Sequence, residues 1–202
     1  MKKVIFVLLI AAAITAYGQQ EEVLQKAFAD SYRYEQQADY RAAVAVLQEA
    51  YQPDSYEINL RLGWLYYLLG DYPQSLKYYK VAMTLLPYSI EARLGYVLPL
   101  AAMGNWNEVV GIYESILQTD PQNTLANYRL GVIYYERGEY GRAKTYVEKV
   151  VNLYPFDYDS VLLLGWINLQ MKDYRKAQVL FNKSLLIRPG DASARAGLQQ
   201  IK

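Results

Sequence analysis

A proline that recurs at a fixed interval constrains the fold of this chain more than any other sequence feature. It stands at positions 53, 87, 121, 155 and 189, so each step is 34 residues. An aromatic residue keeps the same interval at Tyr72, Trp106, Tyr140 and Tyr174. A period of this size is typical of arrays in which one supersecondary unit repeats and stacks on its neighbours. The spacing therefore predicts a solenoid of helical hairpins.

The stretch 56–89 shows how the residues of one repeat build a hairpin. Gly70 and Asp71 interrupt its helical pattern, because glycine adopts a left-handed cap and a carboxylate can cap the next helix. Pro87 closes the repeat, because proline cannot continue a helix. Gly63 has no side chain, so we expect the second helix to approach closely near Ser75. The apolar stripe of the first helix has the spacing i, i+3, i+4, i+7 and consists of Leu60, Gly63, Trp64 and Tyr67.

This pattern resembles the tetratricopeptide repeat (TPR). The family has Leu-Gly and Tyr in the first helix, Gly-Asp-Tyr at the turn, a small residue in the second helix and a closing proline. The resemblance extends from about residue 22 to 202. It implies an all-α, right-handed superhelical solenoid of TPR-like hairpins with a C-terminal capping helix. In the repeat 56–89 the family positions are held by Leu62, Gly63, Tyr66, Gly70, Asp71, Tyr72, Ser75, Tyr79, Ala82 and Pro87.

One TPR-like array is predicted over residues 22–202. The pairing of a glycine with a small residue recurs as Gly131 with Ala143 and as Gly165 with Ala177. The last short helix carries an apolar face and a polar face, which is the usual form of a terminal capping element. The predicted repeats are about 22–55, 56–89, 90–123, 124–157 and 158–191, followed by a capping helix at 192–202.

Three of the repeats depart from the pattern. The first is shortened after its predicted turn at 38–40. In the third, Val97 and Val109 replace the small packing pair, and Pro99 falls inside the first helix, where we expect a kink or a shortened helix. In the fifth, Lys172 replaces the turn glycine. The third repeat is either simple drift or a bend that reshapes the binding surface, and the sequence leaves both open.

Residues 1–18 are predicted to be a signal peptide. Lys2 and Lys3 precede an apolar run from 4 to 16, and small residues at Ala16 and Gly18 offer a cleavage site before Gln19. The alternatives are an uncleaved anchor and a buried helix. We expect an exported protein without an integral membrane segment after cleavage. The periplasm is the first compartment to test, and secretion or envelope association are the alternatives.

The composition argues against catalysis and against nucleic-acid binding. The chain has no histidine and no cysteine, which removes the commonest general base, the thiol nucleophile and the usual transition-metal ligands. We therefore predict no enzyme activity, no metal site and no cofactor. Its 21 basic and 20 acidic residues are nearly balanced. They form no basic stripe of the kind that nucleic-acid binding needs.

The TPR resemblance implies that the first helices of successive repeats line a concave groove. None of the residues at groove positions is basic, which disfavours the family subtype that clamps a carboxylate. Each ring alone could equally pack in the core, but together they would leave a large apolar patch, and such patches mark interaction sites. These groove residues are Leu60, Trp64, Tyr67, Leu94, Leu98, Ala101, Tyr128, Val132, Tyr135, Leu162, Trp166 and Leu169.

Recognition of a partner is the function that these observations favour. We predict an exported scaffold whose aromatic groove holds a partner protein or peptide during assembly of a cell-envelope complex. In one alternative a second copy of the chain fills the groove, and the protein is a self-associating structural protein such as a homodimer. In another alternative the groove takes a small hydrophobic or glycan ligand that stacks on Trp64 and Trp166.

Overall fold

The structure is a computed structural model that describes residues 21–201, so the predicted signal peptide lies outside the described residues. The described part is all-α, as the sequence predicted. It consists of five helical hairpins and a terminal helix. None of its helices has the length and apolarity to cross a membrane. The helices are α1 (21–36), α2 (Tyr40–Glu49), α3 (Tyr56–Leu68), α4 (Tyr72–Leu85), α5 (Ile90–Ala102), α6 (Trp106–Thr119), α7 (Thr124–Glu136), α8 (Tyr140–Leu153), α9 (Tyr158–Gln170), α10 (Tyr174–Ile187) and α11 (Ala192–Gln200).

Capping residues set the starts of the helices in phase with the sequence period. Helices α3, α5, α7, α9 and α11 begin at 56, 90, 124, 158 and 192. Each is preceded by a side chain that accepts a backbone N–H of the first turn, as N-caps do. The second helices of the last four hairpins begin at the phased aromatic positions 72, 106, 140 and 174, whereas α2 begins at Tyr40, two residues out of phase. The caps of the five phased helices are Ser55, Ser89, Asn123, Asp157 and Asp191.

The turn inside each hairpin uses one residue in the left-handed region. In three hairpins that residue is a glycine, and Gly70, for example, has φ 77°. In the first and last hairpins Ala38 and Lys172 adopt the same conformation, with φ 58° and 63°. A side chain is disfavoured there by about 1–2 kcal/mol. The predicted turns at 38–40 and 171–173 therefore form, although neither contains a glycine.

Pro99 does not shorten its helix, so the expectation of a shortened helix was wrong, whereas the expected kink stays a prediction. Helix α5 has 13 residues, the same length as α3. Pro99 lacks the N–H that would pair with the carbonyl of Gly95, which removes only one hydrogen bond of the ladder. The helix continues beyond it, because the N–H of Met103 donates to the Pro99 carbonyl at 3.0 Å.

The chain divides into two compact units. The first unit ends at Asn105 and contains α1–α5, whereas the second begins at Trp106 and contains α6–α11. The division falls in the turn of the third repeat. This is the repeat in which Val97 and Val109 replace the small packing pair of the others.

The core of the first unit is built on a close approach between α3 and α4. The Ser75 hydroxyl donates to the Gly63 carbonyl at 2.7 Å, which confirms that these helices meet at the predicted pair. A Cβ on Gly63 would lie 2.8 Å from the ring of Tyr79. Tyr79 lies one turn beyond Ser75, and its ring occupies the space that the missing side chain leaves.

The second unit repeats this arrangement with other partners. A Cβ on Gly131 would lie 3.6 Å from the carbonyl oxygen of Ala143 and only 2.3 Å from Val147 Cγ2. A Cβ on Gly165 would meet Phe181 at 2.8 Å rather than the predicted Ala177. The tightest contact therefore again falls one turn beyond the small residue, because the larger side chain reaches back over the glycine.

A polar side chain on the first helix ties down the loop before three of the repeats. Asn59 Nδ2 donates to the carbonyl of Pro53 at 3.2 Å. Asn127 Nδ2 makes the same bond to Pro121 at 3.1 Å, and Arg93 Nη2 makes it to Pro87 at 2.5 Å. Each donor lies six residues after its proline. We call this bond the loop clasp.

Candidate functional site

All twelve predicted groove residues lie on the first helices of their hairpins, α3, α5, α7 and α9. Eleven of them are half-buried, and none is exposed. Leu169 is only 7% exposed and packs with Phe181 and with Ala194 of the terminal helix. Because α11 covers it, Leu169 is a core residue and is not accessible to a partner.

None of the groove residues is among the fully exposed apolar side chains of the described residues. Their rings pack against neighbouring helices, which reduces the accessible area of each one. Most of the exposed apolar side chains lie near the ends of helices and in the loops between repeats, where fewer neighbours surround them. The most exposed aromatic residues in these regions are Tyr88, Trp106, Tyr154 and Phe156.

In the first unit a hydrogen-bond network fixes Trp64. Its indole Nε1 donates to Glu35 Oε1 at 2.7 Å, and the other oxygen of Glu35 lies 2.5 Å from Arg61 Nη1. Arg61 is only 8% exposed; its Nε donates to the Ser31 hydroxyl at 3.1 Å, and its guanidinium lies 4.0 Å from the ring centroid of Tyr32. Trp64 is thus a packed, hydrogen-bonded ring that joins α1 to α3.

Sequence reasoning missed Arg61, although it stands among the groove residues of α3. Its charge is neutralised by Glu35 on the preceding hairpin, so it does not offer a free cation to a carboxylate ligand. The available signal was a basic residue inside an otherwise apolar helix. A buried charge needs a partner, and the nearest acid in the preceding repeat's first helix is Glu35.

Two predicted groove residues of the second unit are also engaged by neighbours. The Tyr135 ring lies 5.6 Å from Tyr140, and burial raises the pKa of the Tyr135 hydroxyl above its ordinary value, although Gln170 acts in the opposite direction. Trp166 lies edge-on to Phe181 at 5.1 Å, and its Nε1 donates to the Ser193 hydroxyl at 3.0 Å. Trp166 therefore holds the terminal helix against α9.

One pocket of the second unit is built around Trp106. It has a volume of about 370 Å³, and Trp106 is 50% exposed. The sequence placed Trp106 in the repeat pattern only as a turn aromatic, so the site prediction omitted it. The available signal was that a tryptophan, the largest side chain, stands where the other repeats have tyrosine. This pocket, which we call the tryptophan pocket, is lined by Trp106, Val132, Ile133, Glu136 and Arg137.

A second pocket, of about 330 Å³, lies at the opposite end of α7. Burial raises the pKa of the Tyr128 hydroxyl in this pocket, and the negative charges of Asp159 and Asp157 raise it further, although Arg129 acts in the opposite direction. We call this the acidic pocket. It is lined by Thr124, Leu125, Tyr128, Val150, Tyr154, Asp157, Asp159 and Ser160.

One face of α7 connects the two pockets. Its spacing i, i+3, i+7, i+10 places four side chains on one stripe, about 15 Å long at 1.5 Å per residue. Leu125 and Tyr128 belong to the acidic pocket, and Val132 belongs to the tryptophan pocket. We call this set, Leu125, Tyr128, Val132 and Tyr135, the α7 stripe.

The polar groups of the two pockets can form hydrogen bonds and ion pairs with a bound segment. Within residues 21–201 no three acidic side chains converge in a way that could hold a metal ion. The polar groups in the two pockets are carboxylates, an arginine, hydroxyls and a tyrosine hydroxyl whose pKa is raised.

Comparison with known families agrees with this architecture. Family profiles described as tetratricopeptide repeat match residues 28–90, 100–167 and 158–191, and together they span most of the chain. The chain is a tetratricopeptide-repeat protein. Members of this family are generally scaffolds for protein–protein interaction and are typically not catalytic.

Two solved structures show the same fold at low sequence identity. A tetratricopeptide repeat protein from Parabacteroides merdae aligns with a TM-score of 0.76 and 18% identity over 89% of this chain and 72% of that protein. The MamA protein (41-end) from Desulfovibrio magneticus aligns with a TM-score of 0.71 and 19% identity over 84% of this chain and 97% of that one.

A curated relative matches nearly the whole TPR chain but is much longer. The Protein CTR9 homolog of Arabidopsis thaliana is 24% identical over 189 residues, which are 91% of this chain and 17% of the relative. The chain thus spans about a sixth of that protein's length. What the two share is a stretch of the relative rather than its whole architecture.

Proposed function

We propose that this TPR protein is an exported scaffold that holds a partner protein or peptide on its first helices, in the assembly of a cell-envelope complex. The observation that carries the proposal is the α7 stripe with a pocket at each end. A stripe of about 15 Å matches roughly three turns of a docked helix. A helix laid into an apolar groove is a common mode of peptide recognition.

The tryptophan pocket supplies the anchor of this surface. Trp106 is half exposed, Val132 and Ile133 lie beside it, and charges of both signs stand on Glu136 and Arg137. Binding energy at interfaces is concentrated in a few aromatic and arginine residues within a polar rim. The composition of this pocket fits that description.

The export part of the proposal is supported by the sequence of residues 1–18 alone. The basic start, the apolar run and the small residues at Ala16 and Gly18 are features of a cleaved leader. The mature protein should begin at or near Gln19. N-terminal sequencing of protein isolated from its own cells checks this, and finding Met1 intact would contradict export by a cleaved leader.

Partner binding can be tested with two matched surface variants. Photocrosslinking from the tryptophan pocket, followed by mass spectrometry, would identify the partner, and its affinity can then be measured with purified proteins. We expect Trp106→Ala to weaken binding by about 2 kcal/mol or more, as removal of a hot-spot aromatic does. Phe156→Ala removes a more exposed ring that lies outside both pockets, and it should leave the affinity unchanged. Equal losses of partner affinity in the two variants would argue against the α7 stripe and its pockets as the binding surface.

The same protein can be tested for the two alternatives. If a second copy fills the surface, light scattering should show a dimer that is insensitive to salt and that Trp106→Ala dissociates. A glycan or small hydrophobic ligand would need an aromatic ring with an accessible face. Trp64 and Trp166 are less suited to this, because both indole N–H groups are hydrogen-bonded inside the protein. Quenching of tryptophan fluorescence by a sugar panel, lost in Trp106→Ala, would favour that class of ligand.

A further inference from the structure

The acidic pocket has a composition that its place in the repeat does not require. It lies where the first turns of α7 and α9 meet the last turn of α8, and its walls are formed by Leu125, Tyr128, Val150 and Tyr154. Its volume of about 330 Å³ is at the lower end of the range of small-molecule sites. A site of this size suits a single long side chain.

One residue that lines the pocket, Ser160, has a buried hydroxyl without a hydrogen-bond partner. Ser160 is only 1% exposed; its backbone N–H donates to Asp157 Oδ1 at 3.0 Å, but its hydroxyl oxygen has no hydrogen bond. Buried polar groups in native proteins are nearly always bonded, so each exception calls for an explanation. The equivalent positions of the three preceding repeats hold Ile58, Ala92 and Ala126, which have no hydroxyl.

Two carboxylates line the pocket together with Ser160. Asp157 caps α9 through Ser160, and Asp159 is exposed and forms no ion pair in the part of the chain that the structure describes. The equivalent carboxylates of earlier repeats are engaged by hydroxyls. Glu91 accepts a hydrogen bond from Tyr56 at 3.3 Å, and Glu57 accepts one from Ser55 at 3.0 Å.

The balance of charge around the pocket is negative. The N-termini of α7 and α9 each contribute about half a positive charge, whereas Asp157 and Asp159 each contribute a full negative one. Arg129 is the basic neighbour that acts on Tyr128, but it does not line the pocket. An anionic ligand would be repelled here, and an apolar one would leave Asp159 and the Ser160 hydroxyl unpaired.

We propose that the acidic pocket receives a cationic side chain, a lysine or an arginine, from the segment that the scaffold binds; this rests on the proposed function. The cation pairs with Asp159, donates a hydrogen bond to the Ser160 hydroxyl oxygen and lies against the rings of Tyr128 and Tyr154. Ammonium and guanidinium groups bind favourably to aromatic faces. The alkyl part of the side chain would pack on Leu125 and Val150.

The proposal can be tested without knowing the partner. Nα-acetyl-lysine N-methylamide, its arginine counterpart and the neutral norleucine counterpart are titrated into ¹⁵N-labelled protein, and amide shifts are followed by NMR. We expect saturable shifts at Leu125, Tyr128 and Ser160 with both cationic probes. Affinity for norleucine should be at least fivefold lower. Equal binding of norleucine, or no localised shift with either cation, would overturn the proposal.

Three variants separate a binding role from a structural one. Asp159→Asn should weaken binding of the cationic probes at least fivefold, whereas Glu49→Gln, which changes an exposed carboxylate outside both pockets, should not. Ser160→Ala should also weaken them, yet raise the melting temperature of the free protein, because it removes an unpartnered buried hydroxyl. A Ser160→Ala variant that binds the probes as well as the wild type, or that melts lower, would argue against the hydroxyl's part in the site.

Failure of the cation site and failure of the proposed scaffold function give different results. If the cationic probes fail to bind while partner affinity still depends on Trp106, the scaffold function stands and the cation site does not. If the probes bind as expected but no partner is captured, the cation site stands and the scaffold function is wrong.

Discussion

The two compact units treat the same helical positions differently. In the first unit Trp64 is fixed by Glu35, and Glu35 in turn neutralises the buried Arg61. In the second unit Val132, at the position equivalent to Trp64, lines an open pocket beside the half-exposed Trp106. One residue position in the repeat is therefore structural in one hairpin and accessible in another.

The difference arises from the neighbours rather than from the position itself. Trp64 faces a hairpin that supplies an acceptor, and Trp166 faces the terminal helix, which supplies the Ser193 hydroxyl. The smaller Val132 fills less space, and Trp106 comes from the turn rather than from a groove position. A periodic sequence repeats the backbone, but each repeat has its own neighbours, and these decide which rings a partner can reach.

The largest expected effect separates the core of the second unit from its open surface. Phe181 is fully buried, and Phe181→Ala should lower the free energy of unfolding by about 3–5 kcal/mol. Trp106→Ala should lower it far less, because half of that side chain already faces solvent. Urea denaturation of both variants measures the contrast. Similar losses would show that Trp106 is a core residue and that the tryptophan pocket is not a free surface.

The next prediction concerns a substitution that breaks the hydrogen-bond network around Trp64 in the first unit. Glu35→Ala leaves the Arg61 guanidinium buried without its anion and the Trp64 N–H without its acceptor. Loss of a buried charged partner should lower the free energy of unfolding by about 1–3 kcal/mol or more. The double variant Glu35→Ala/Arg61→Met should recover part of this loss, since a buried ion pair can often be replaced by apolar groups. A double variant less stable than Glu35→Ala would mean that Arg61 stabilises through packing rather than charge.

A third prediction concerns the close approach of α7 and α8. Gly131→Leu should overpack the contact with Val147 and lower the free energy of unfolding by about 1–3 kcal/mol. Gly111→Ala is the matched control, because no atom lies within 4 Å of its hypothetical Cβ. It should raise stability by up to about 1 kcal/mol through helix propensity. The melting temperatures of both variants test this prediction. An unchanged melting temperature for Gly131→Leu would mean that α7 and α8 do not approach as closely as the structure shows.

The smallest expected effect compares a turn in each unit. Lys172→Gly should raise the free energy of unfolding by about 1 kcal/mol, because it relieves a left-handed residue that carries a side chain. Gly70→Ala introduces the same strain and should lower stability by a similar amount. Chemical denaturation of the two variants should give shifts of opposite sign. Shifts of the same sign would indicate that the two turns differ in conformation.

The fold was accessible from the sequence because its determinants are local. A capping serine, asparagine or aspartate precedes each phased helix, and a turn residue and a proline follow at set distances. These signals lie within a few residues of the structure that they specify. Reasoning from local sequence wrongly predicted a shortened helix at Pro99, because the helix tolerates the loss of one hydrogen bond near its end.

The candidate site was only partly accessible, because exposure depends on distant parts of the chain. Leu169 resembles a groove residue until the terminal helix, about 25 positions later, covers it. Trp106 lay outside the groove pattern, and its exposure could not be inferred from spacing. The acidic pocket combines Tyr128, which was predicted, with Asp157, Asp159 and Ser160 from the next repeat, and only the structure brings these together.

The loop clasp has a consequence for how this array could lengthen or shorten. Deleting residues 56–89 would place Arg93 six positions after Pro53, so the shortened chain would keep a donor for the proline carbonyl. Deleting residues 124–157 would place Val161 six positions after Pro121, and valine has nothing to donate. Two deletions of equal length therefore differ in their effect. A recombination event that removes the second repeat leaves a junction at which the loop clasp can form, whereas one that removes the fourth repeat leaves a junction without it.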